Sequence, residues 1–196
     1  SNVLMALDLI HGTNITVGTG TLPSSPSVSL NSDGRYSAFV CKSRLVGTDT
    51  NNTDDVFLCD FATRTIKLIS ARPGTTIAGN DRSYQPRISA DGRLVVFGSN
   101  ASDLVGADGN DLGDLFQYDC VTGLITPVSH RYSDMATANG MSLGFSMASS
   151  ANCIAFTSMA SDLVPGDSNA ELDVFVADLE AATPKVSVTF QGGQPT

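Results

Sequence analysis

The chain has 196 residues, of which 41% are hydrophobic and 16% are charged. These proportions are typical of a folded globular protein and exclude wholesale disorder. A net charge of −9 at pH 7 excludes nucleic acid as an expected partner, because a polyanion is repelled by an acidic surface. No apolar run approaches the roughly 20 residues needed to cross a bilayer, so membrane insertion is not expected either.

The sequence repeats itself three times. Asp49, Asp108 and Asp167 lie 59 residues apart, and the series that begin at Asp55 and at Asp60 keep the same spacing. Self-similarity at a fixed period is the signature of a repeat architecture. Each unit also has an apolar segment that ends in phenylalanine, which predicts a core position in every unit. These phenylalanines are Phe39, Phe97 and Phe156.

The second unit shows its four predicted strands, labelled a to d, most clearly. Asp91-Gly92 is typical of a tight hairpin turn between strands a and b, because glycine accepts a positive φ. Thr122-Gly123 marks the turn between strands c and d. No window of 11 or more residues keeps a helical period, so the sequence predicts an all-β chain. The strands are predicted at about 86–89, 93–99, 114–119 and 124–129, and the last strands of the three units are aligned on Ser70, Ser129 and Ser187.

Apolar side chains alternate across both faces of each predicted sheet, with Leu94 and Val96 on one face and Val95 and Phe97 on the other. Such a sheet needs a neighbour on each side, and radial stacking supplies it while protecting the edges. A β-helix would need shorter rungs, and a sandwich would not require near-identical units. The sequence therefore predicts four-stranded blades of a β-propeller.

The domain prediction is one propeller with three full blades and half of another. The opening half blade holds strands c and d, since Leu4–Leu9 matches Val174–Leu179. Propellers usually have four to eight blades, so we expect ring closure by missing blades or by self-association. The predicted segments are the half blade at 1–20, blades at 21–78, 79–137 and 138–190, and the start of a further loop at 191–196.

Three segments carry a family resemblance: Ser89–Arg93 with Phe97, Ser161–Asn169, and Asp173–Leu179. They resemble the TolB-like (WD-related) β-propeller repeat, in particular the version common in large secreted bacterial proteins. The resemblance covers nearly the whole chain and implies the propeller fold and a secreted, periplasmic or cell-surface location. It implies little about function, because propellers serve binding, scaffolding and catalysis alike. The third unit departs from the pattern at 149–152, where Ser-Ser-Ala-Asn replaces the Asp-Gly turn.

Each loop between strands b and c carries a seven-residue acidic window, at 49–55, 108–114 and 167–173. All three windows have Asp at position 1, Asn at position 3 and Asp at position 7. Nine of the 20 acidic residues lie in these windows, and the other eleven are matched by the eleven lysines and arginines. The net negative charge is therefore a property of the loops.

The windows predict calcium sites. Ca²⁺ takes six to eight oxygen ligands, which alternate positions of a short loop can supply, whereas Mg²⁺ prefers a tighter octahedron. Position 5 varies, and Leu112 could offer only its backbone carbonyl. The competing interpretation is that Asp and Asn form Asx turns and tie the loop to strand c. The candidate ligands are Asp49, Asn51, Asp55, Asp108, Asn110, Asp114, Asp167, Asn169, Glu171 and Asp173.

The sequence contains no recognisable catalytic constellation. His11 and His130 belong to no metal or catalytic motif and are expected in surface loops. Ser142–Ser146 does not complete a G-x-S-x-G elbow. The cysteines lack C-x-x-C spacing, which disfavours zinc. They are interpreted as small buried hydrophobic residues, with one disulfide left open. These cysteines are Cys41, Cys59, Cys120 and Cys153.

The functional prediction is a non-enzymatic binding or scaffold module for protein or glycan ligands, stabilised by calcium. The alternative is that the chain forms part of a propeller lyase or hydrolase, or the accessory propeller of a serine peptidase. In that case the catalytic residues would lie outside this sequence.

Overall fold

The computed structural model describes residues 2–8, 13–20, 23–24, 26–106, 108–148, 153–169, 171–179 and 184–190. These residues form strands, turns and bends with no helix, so the all-β prediction is confirmed. The same residues accordingly include no apolar helix of membrane-spanning length.

The strands form one two-stranded and three four-stranded antiparallel sheets, in which neighbours along the chain are also neighbours in the sheet. The small sheet pairs β1 (Asn2–Asp8) with β2 (Thr13–Gly20). The first four-stranded sheet consists of β3 (Val28–Leu30), β4 (Tyr36–Cys41), β5 (Asp55–Asp60) and β6 (Thr65–Leu68). The second consists of β7 (Ser83–Ile88), β8 (Leu94–Ser99), β9 (Asp114–Asp119) and β10 (Ile125–Pro127). The third consists of β11 (Ser142–Met147), β12 (Cys153–Ser158), β13 (Asp173–Asp178) and β14 (Lys185–Phe190).

Three four-stranded meanders preceded by a pair of strands are the blades and the half blade expected from the repeat. The fold class is confirmed. Each sheet lies inside one of the predicted segments, although the segment boundaries themselves stay predictions. The Ser-Ser-Ala-Asn turn of the third unit lies outside the described residues.

Two details of strand alignment differ from the sequence prediction. Strand β7 begins at Ser83, three residues before the predicted start, because a bulge at Gln85, with φ 50°, extends its pairing with β8. In the last strand, Val188 pairs with Phe175 as Leu68 pairs with Phe57. This register aligns Phe190, and not Ser187, with Ser70 and Ser129, so that part of the sequence alignment was wrong.

The blades are held together by cores that lie between them. On β8, Val95 and Phe97 pack in one cluster with Val56 of the first blade. Val96, on the opposite face, packs in another cluster with Ile154 of the third blade. The predicted alternation across the two faces is therefore confirmed. Burial of such large apolar side chains is the main favourable contribution to folding.

A pair of phenylalanine rings recurs at the centre of each blade. The rings of Phe97 and Phe116 have centroids 6.1 Å apart and are fully buried. The corresponding pairs in the first and third blades are Phe39–Phe57 at 5.8 Å and Phe156–Phe175 at 5.6 Å. The predicted core role of the recurring phenylalanine is confirmed, and each pair adds ring contact to its area burial.

We expect Phe97→Ala to lower the free energy of unfolding by about 3–5 kcal/mol, the usual cost of truncating a fully buried phenylalanine. Chemical denaturation measures this change. The exposed Val121→Ala is the matched control and should change stability by less than about 0.5 kcal/mol. Similar, small losses in both variants would contradict a core shared between the first two blades.

Candidate metal centres

The acidic windows lie at one end of the blades, beside the linkers that join successive blades. The first window precedes β5, and its Asn51 donates a hydrogen bond of 2.8 Å from Nδ2 to the carbonyl of Gly79, in the linker to the second blade. The second window precedes β9 and contacts the next linker, where the Thr137 hydroxyl donates to Asp108 Oδ1 at 3.0 Å. Each of these loops therefore contacts the linker to the following blade.

The aspartate at position 7 is the first residue of strand c and is fully buried in every blade. Asp55 Oδ1 accepts a hydrogen bond of 2.8 Å from the Ser70 hydroxyl, and Asp114 Oδ1 accepts one of 2.9 Å from Ser129. Each serine hydroxyl in turn accepts the backbone N–H at the start of strand c. These bonds join the end of strand d to the start of strand c. The loop itself is tied to position 7 where Asn110 Nδ2 donates to Asp114 Oδ2 at 3.0 Å and Asn169 Nδ2 donates to Asp173 Oδ1 at 3.5 Å, so the interpretation of position 7 as a tie between loop and strand is correct for the second and third blades.

The aspartates at positions 1 and 7 lie close enough to repel each other. Burial raises the pKa of Asp55 to about 7, and the charges of Asp49 and Asp54 add to the rise. The pKa of Asp114 is likewise raised to about 7, mainly by burial, with the charge of Asp108 contributing. Repulsion of this kind means that two carboxylates share one electrostatic environment.

The position-1 carboxylates of the third and first windows also have raised pKa values. Burial raises the pKa of Asp167, and the charge of Asp173 raises it further. Burial also raises the pKa of Asp49, against the opposing effect of Arg44. In all three loops the fold therefore brings together the two carboxylates that the sequence pairs.

The asparagine at position 3 forms an Asx turn in each loop. The Oδ1 atoms of Asn51, Asn110 and Asn169 accept the backbone N–H two residues later, at 3.0, 2.7 and 3.1 Å. At position 4, Asn52 and Asp111 have φ values of 58° and 52°, in the left-handed region that Asn and Asp tolerate best. The local turn interpretation is therefore correct, and it leaves room for coordination because a carbonyl oxygen has two lone pairs.

Several oxygens of the windows are buried where no hydrogen-bond donor of the described residues reaches them. A buried acceptor without a donor is rare and needs an explanation. In the first window four such oxygens come from a run of seven residues. The atoms are Asp49 Oδ2, Thr53 Oγ1, Asp54 Oδ1 and Asp55 Oδ2 in the first window, Asp108 Oδ2 in the second and Asp167 Oδ1 in the third.

The structure changes the composition of the candidate ligand set. Asp54 was not among the predicted ligands. It is the third carboxylate of the first window, and the sequence could have identified it by that count. Glu171 is exposed at the surface of its loop. Within the described ranges, no three His, Cys, Asp or Glu side chains form a metal cluster by themselves. An ion in a loop would therefore need hydroxyl, amide or backbone oxygens and water in addition to carboxylates.

The remaining polar candidates have structural roles. The His130 ring nitrogens lie 2.8 Å from the carbonyl of Arg131 and 2.6 Å from that of Pro184, so this residue ties two backbone segments together. His11 lies outside the described residues. The four cysteines all fall within them, and none forms a disulfide. Cys41 and Cys59 are buried, as expected of small hydrophobic residues, whereas Cys120 and Cys153 are only half-buried, so that expectation is wrong for these two.

The sequence matches no protein-family model and no curated protein. Solved structures with a similar fold include TolB from Acinetobacter baumannii, at 20% identity and a TM-score of 0.51, covering 94% of this chain and 36% of that one. The β-propeller domain of the Trilobed protease from Pyrococcus furiosus is 11% identical with a TM-score of 0.55, covering 96% and 47%. Oligogalacturonate lyase in complex with manganese is 15% identical with a TM-score of 0.54, covering 94% and 47%.

The chain spans from 36% to 47% of the length of these three proteins. At identities this low the similarity concerns the fold alone. The blade order, the ladder registers and the structural matches agree, and the chain has the fold of the TolB-like β-propellers.

Proposed function

We propose that this chain is a β-propeller binding or scaffold module for protein or glycan ligands, with Ca²⁺ bound in its acidic loops. The observation that carries the calcium proposal is the set of buried carboxylate oxygens without a donor, best seen at Asp49 and Asp54. Burying an ionised carboxylate is costly unless a cation or hydrogen-bond donor compensates. A divalent cation compensates both carboxylates of a loop at once.

The ligand chemistry favours a weak calcium site. Each loop offers the carboxylates of positions 1 and 7 and the amide oxygen of position 3, and water would complete the six to eight oxygens that Ca²⁺ requires. In the second loop both oxygens of Asp114 already accept hydrogen bonds, from Ser129 and Asn110, so Asp108 contributes the carboxylate oxygen without a donor there. Such a mixed set fits dissociation constants of about 10⁻⁴–10⁻³ M, the range of extracellular modules. A site this weak fills only where calcium is millimolar, so the calcium proposal includes a location outside the cytoplasm.

The three loops should differ in affinity. The first window contributes Asp54 and Thr53 in addition to Asp49 and Asp55, and all four have a buried oxygen that accepts no hydrogen bond from the described residues. Position 6 of the other windows is Gly113 or Leu172, which adds no side-chain oxygen. We therefore expect the first loop to bind Ca²⁺ most tightly.

The loop end of the blades is the proposed ligand surface. The linkers beside the acidic loops expose large apolar side chains, with Tyr132 60% and Ile77 43% accessible. Exposed aromatic and aliphatic residues beside polar loops are typical of binding surfaces. Loops held by a rigid scaffold commonly carry binding in this way.

A propeller of the same fold, oligogalacturonate lyase, has been solved in complex with manganese, so that protein binds a divalent cation.

We expect millimolar CaCl₂ to raise the melting temperature and EGTA to reverse the rise, because an ion that binds only the folded state stabilises it by mass action. Asp49→Asn should remove the largest part of the rise. Asp60→Asn, in an exposed ion pair with Arg35 away from the loops, is the matched control and should keep it. An unchanged melting temperature at 5 mM calcium in the parent protein would leave only the turn interpretation.

Without calcium, the stability should fall as the pH rises from 5 to 7.5. A carboxyl with a raised pKa holds its proton more tightly in the folded state, so its contribution is present at low pH and is lost between the ordinary pKa of 3.8 and about 7. Urea denaturation in EGTA measures the slope, and Asp55→Asn should flatten it. Asp60, whose pKa is lowered to about 2, is the control, because Asp60→Asn should not change the slope in this range. Stability that increases across this range would contradict buried, repelling carboxylates.

The ligand proposal can be tested with glycan and peptide arrays probed in calcium and in EGTA. Binding through the loop end should be weakened at least tenfold by Tyr132→Ala. The control is Val121→Ala, at an exposed turn between strands c and d. A hit that both variants retain would place the ligand elsewhere on the blades.

A further inference from the structure

We infer that each cation site of the first two loops depends on two blades. The loop of one blade binds the ion, and the linker to the next blade holds the ligands in position. The linkers are residues 70–83 and 129–142, and each runs from just after the last strand of one blade to the first residue of the next blade, Ser83 or Ser142. This inference rests on the calcium binding proposed above.

The first loop is tied to the 70–83 linker at three points. Asn51 Nδ2 donates to the Gly79 carbonyl at 2.8 Å. The N–H of Ala78 donates to the Thr48 carbonyl at 3.5 Å, and the N–H of Ser83 donates to the Asp54 carbonyl at 2.7 Å. The linker thus fixes the backbone on both sides of the residues that would bind the ion.

The second loop is tied to the 129–142 linker at two of the equivalent points, with one addition. Asn110 Nδ2 donates to the Ala138 carbonyl, and the N–H of Ser142 donates to the Gly113 carbonyl at 2.8 Å. In addition, the buried Thr137 hydroxyl donates to Asp108 Oδ1 at 3.0 Å. Thr137 therefore holds one oxygen of the position-1 carboxylate, while the other, Oδ2, is buried and accepts no hydrogen bond within the described ranges.

Each linker is also bonded to the blade that follows it. The backbone N–H of Asn80 donates to Asp103 Oδ1 at 2.8 Å, and Arg72 forms an ion pair with the same carboxylate at 2.8 Å. The N–H of Asn139 makes the equivalent bond to Asp162 Oδ1 at 2.9 Å. A linker clamped between one acidic loop and the next blade couples ion binding to blade stacking. Because such coupling is reciprocal, weakening the linker contact must weaken ion binding.

Thr137→Val tests this coupling without removing a carboxylate. Thr137→Val is best introduced into the double variant Asp49→Asn/Asp167→Asn. In that background the second loop is the one of the three acidic loops that keeps its position-1 carboxylate. Loss of a group that orients a metal ligand typically lowers affinity 10–100-fold, so we expect the calcium dissociation constant to rise at least about tenfold in a calorimetric titration. Thr137→Ser should restore the affinity. Thr157→Val, on β12 outside the loops and linkers, should leave it unchanged.

Hydrogen exchange followed by mass spectrometry tests the same inference in the unmodified protein. Calcium should slow exchange in peptides that cover the 70–83 and 129–142 linkers as well as in the loop peptides. Protection confined to the loops, together with an unchanged affinity in Thr137→Val, would overturn the inference and leave calcium binding intact. Absence of any calcium binding by the parent protein would instead remove the proposed function.

Discussion

The two apolar faces of each blade are the constraint on which this structure depends. A four-stranded sheet with Val95 and Phe97 on one face and Val96 on the other cannot be stable in water unless both faces are covered. Blades stacked face to face meet this requirement, and they place cores between sheets. The phenylalanine pairs of the second and third blades lie in these cores, together with residues of the preceding blade. The loops and linkers, with their polar groups, are thereby displaced to the two ends of the blades.

That displacement explains why carboxylates are buried at one end. Stacking brings the first two acidic loops against the linkers to the following blades, so Asp49 and Asp55 lose solvent although their charges repel each other. Hydrogen bonds from Ser70 and the Asx turn at Asn51 compensate part of the cost. In the proposed function, the carboxylate oxygens that accept none of these hydrogen bonds are the ligands of a hard cation. Structure and proposed chemistry thus have one origin in the packing of the blades.

The sequence predicted the features that depend on local chemistry or on the repeat. Strand c was predicted at 114–119, as observed, because aspartates mark its two ends. Strand a of the second blade, β7, begins three residues before its predicted start. The reason is the bulge at Gln85, a residue with a positive φ that has no turn signature in the sequence. In the candidate site, the pairing of positions 1 and 7 followed from the spacing. The bond from Thr137 to Asp108 could not be predicted, because it depends on a tertiary contact 29 residues along the chain.

The central claim is that the buried carboxylates at the loop end of the blades hold divalent cations. X-ray diffraction from crystals grown with calcium, or soaked with terbium, would locate such ions by their anomalous scattering. The account predicts peaks within about 2.3–2.6 Å of carboxylate oxygens in the acidic loops, strongest beside Asp49 and Asp55. Well-ordered loops that contain only water at millimolar calcium would contradict it.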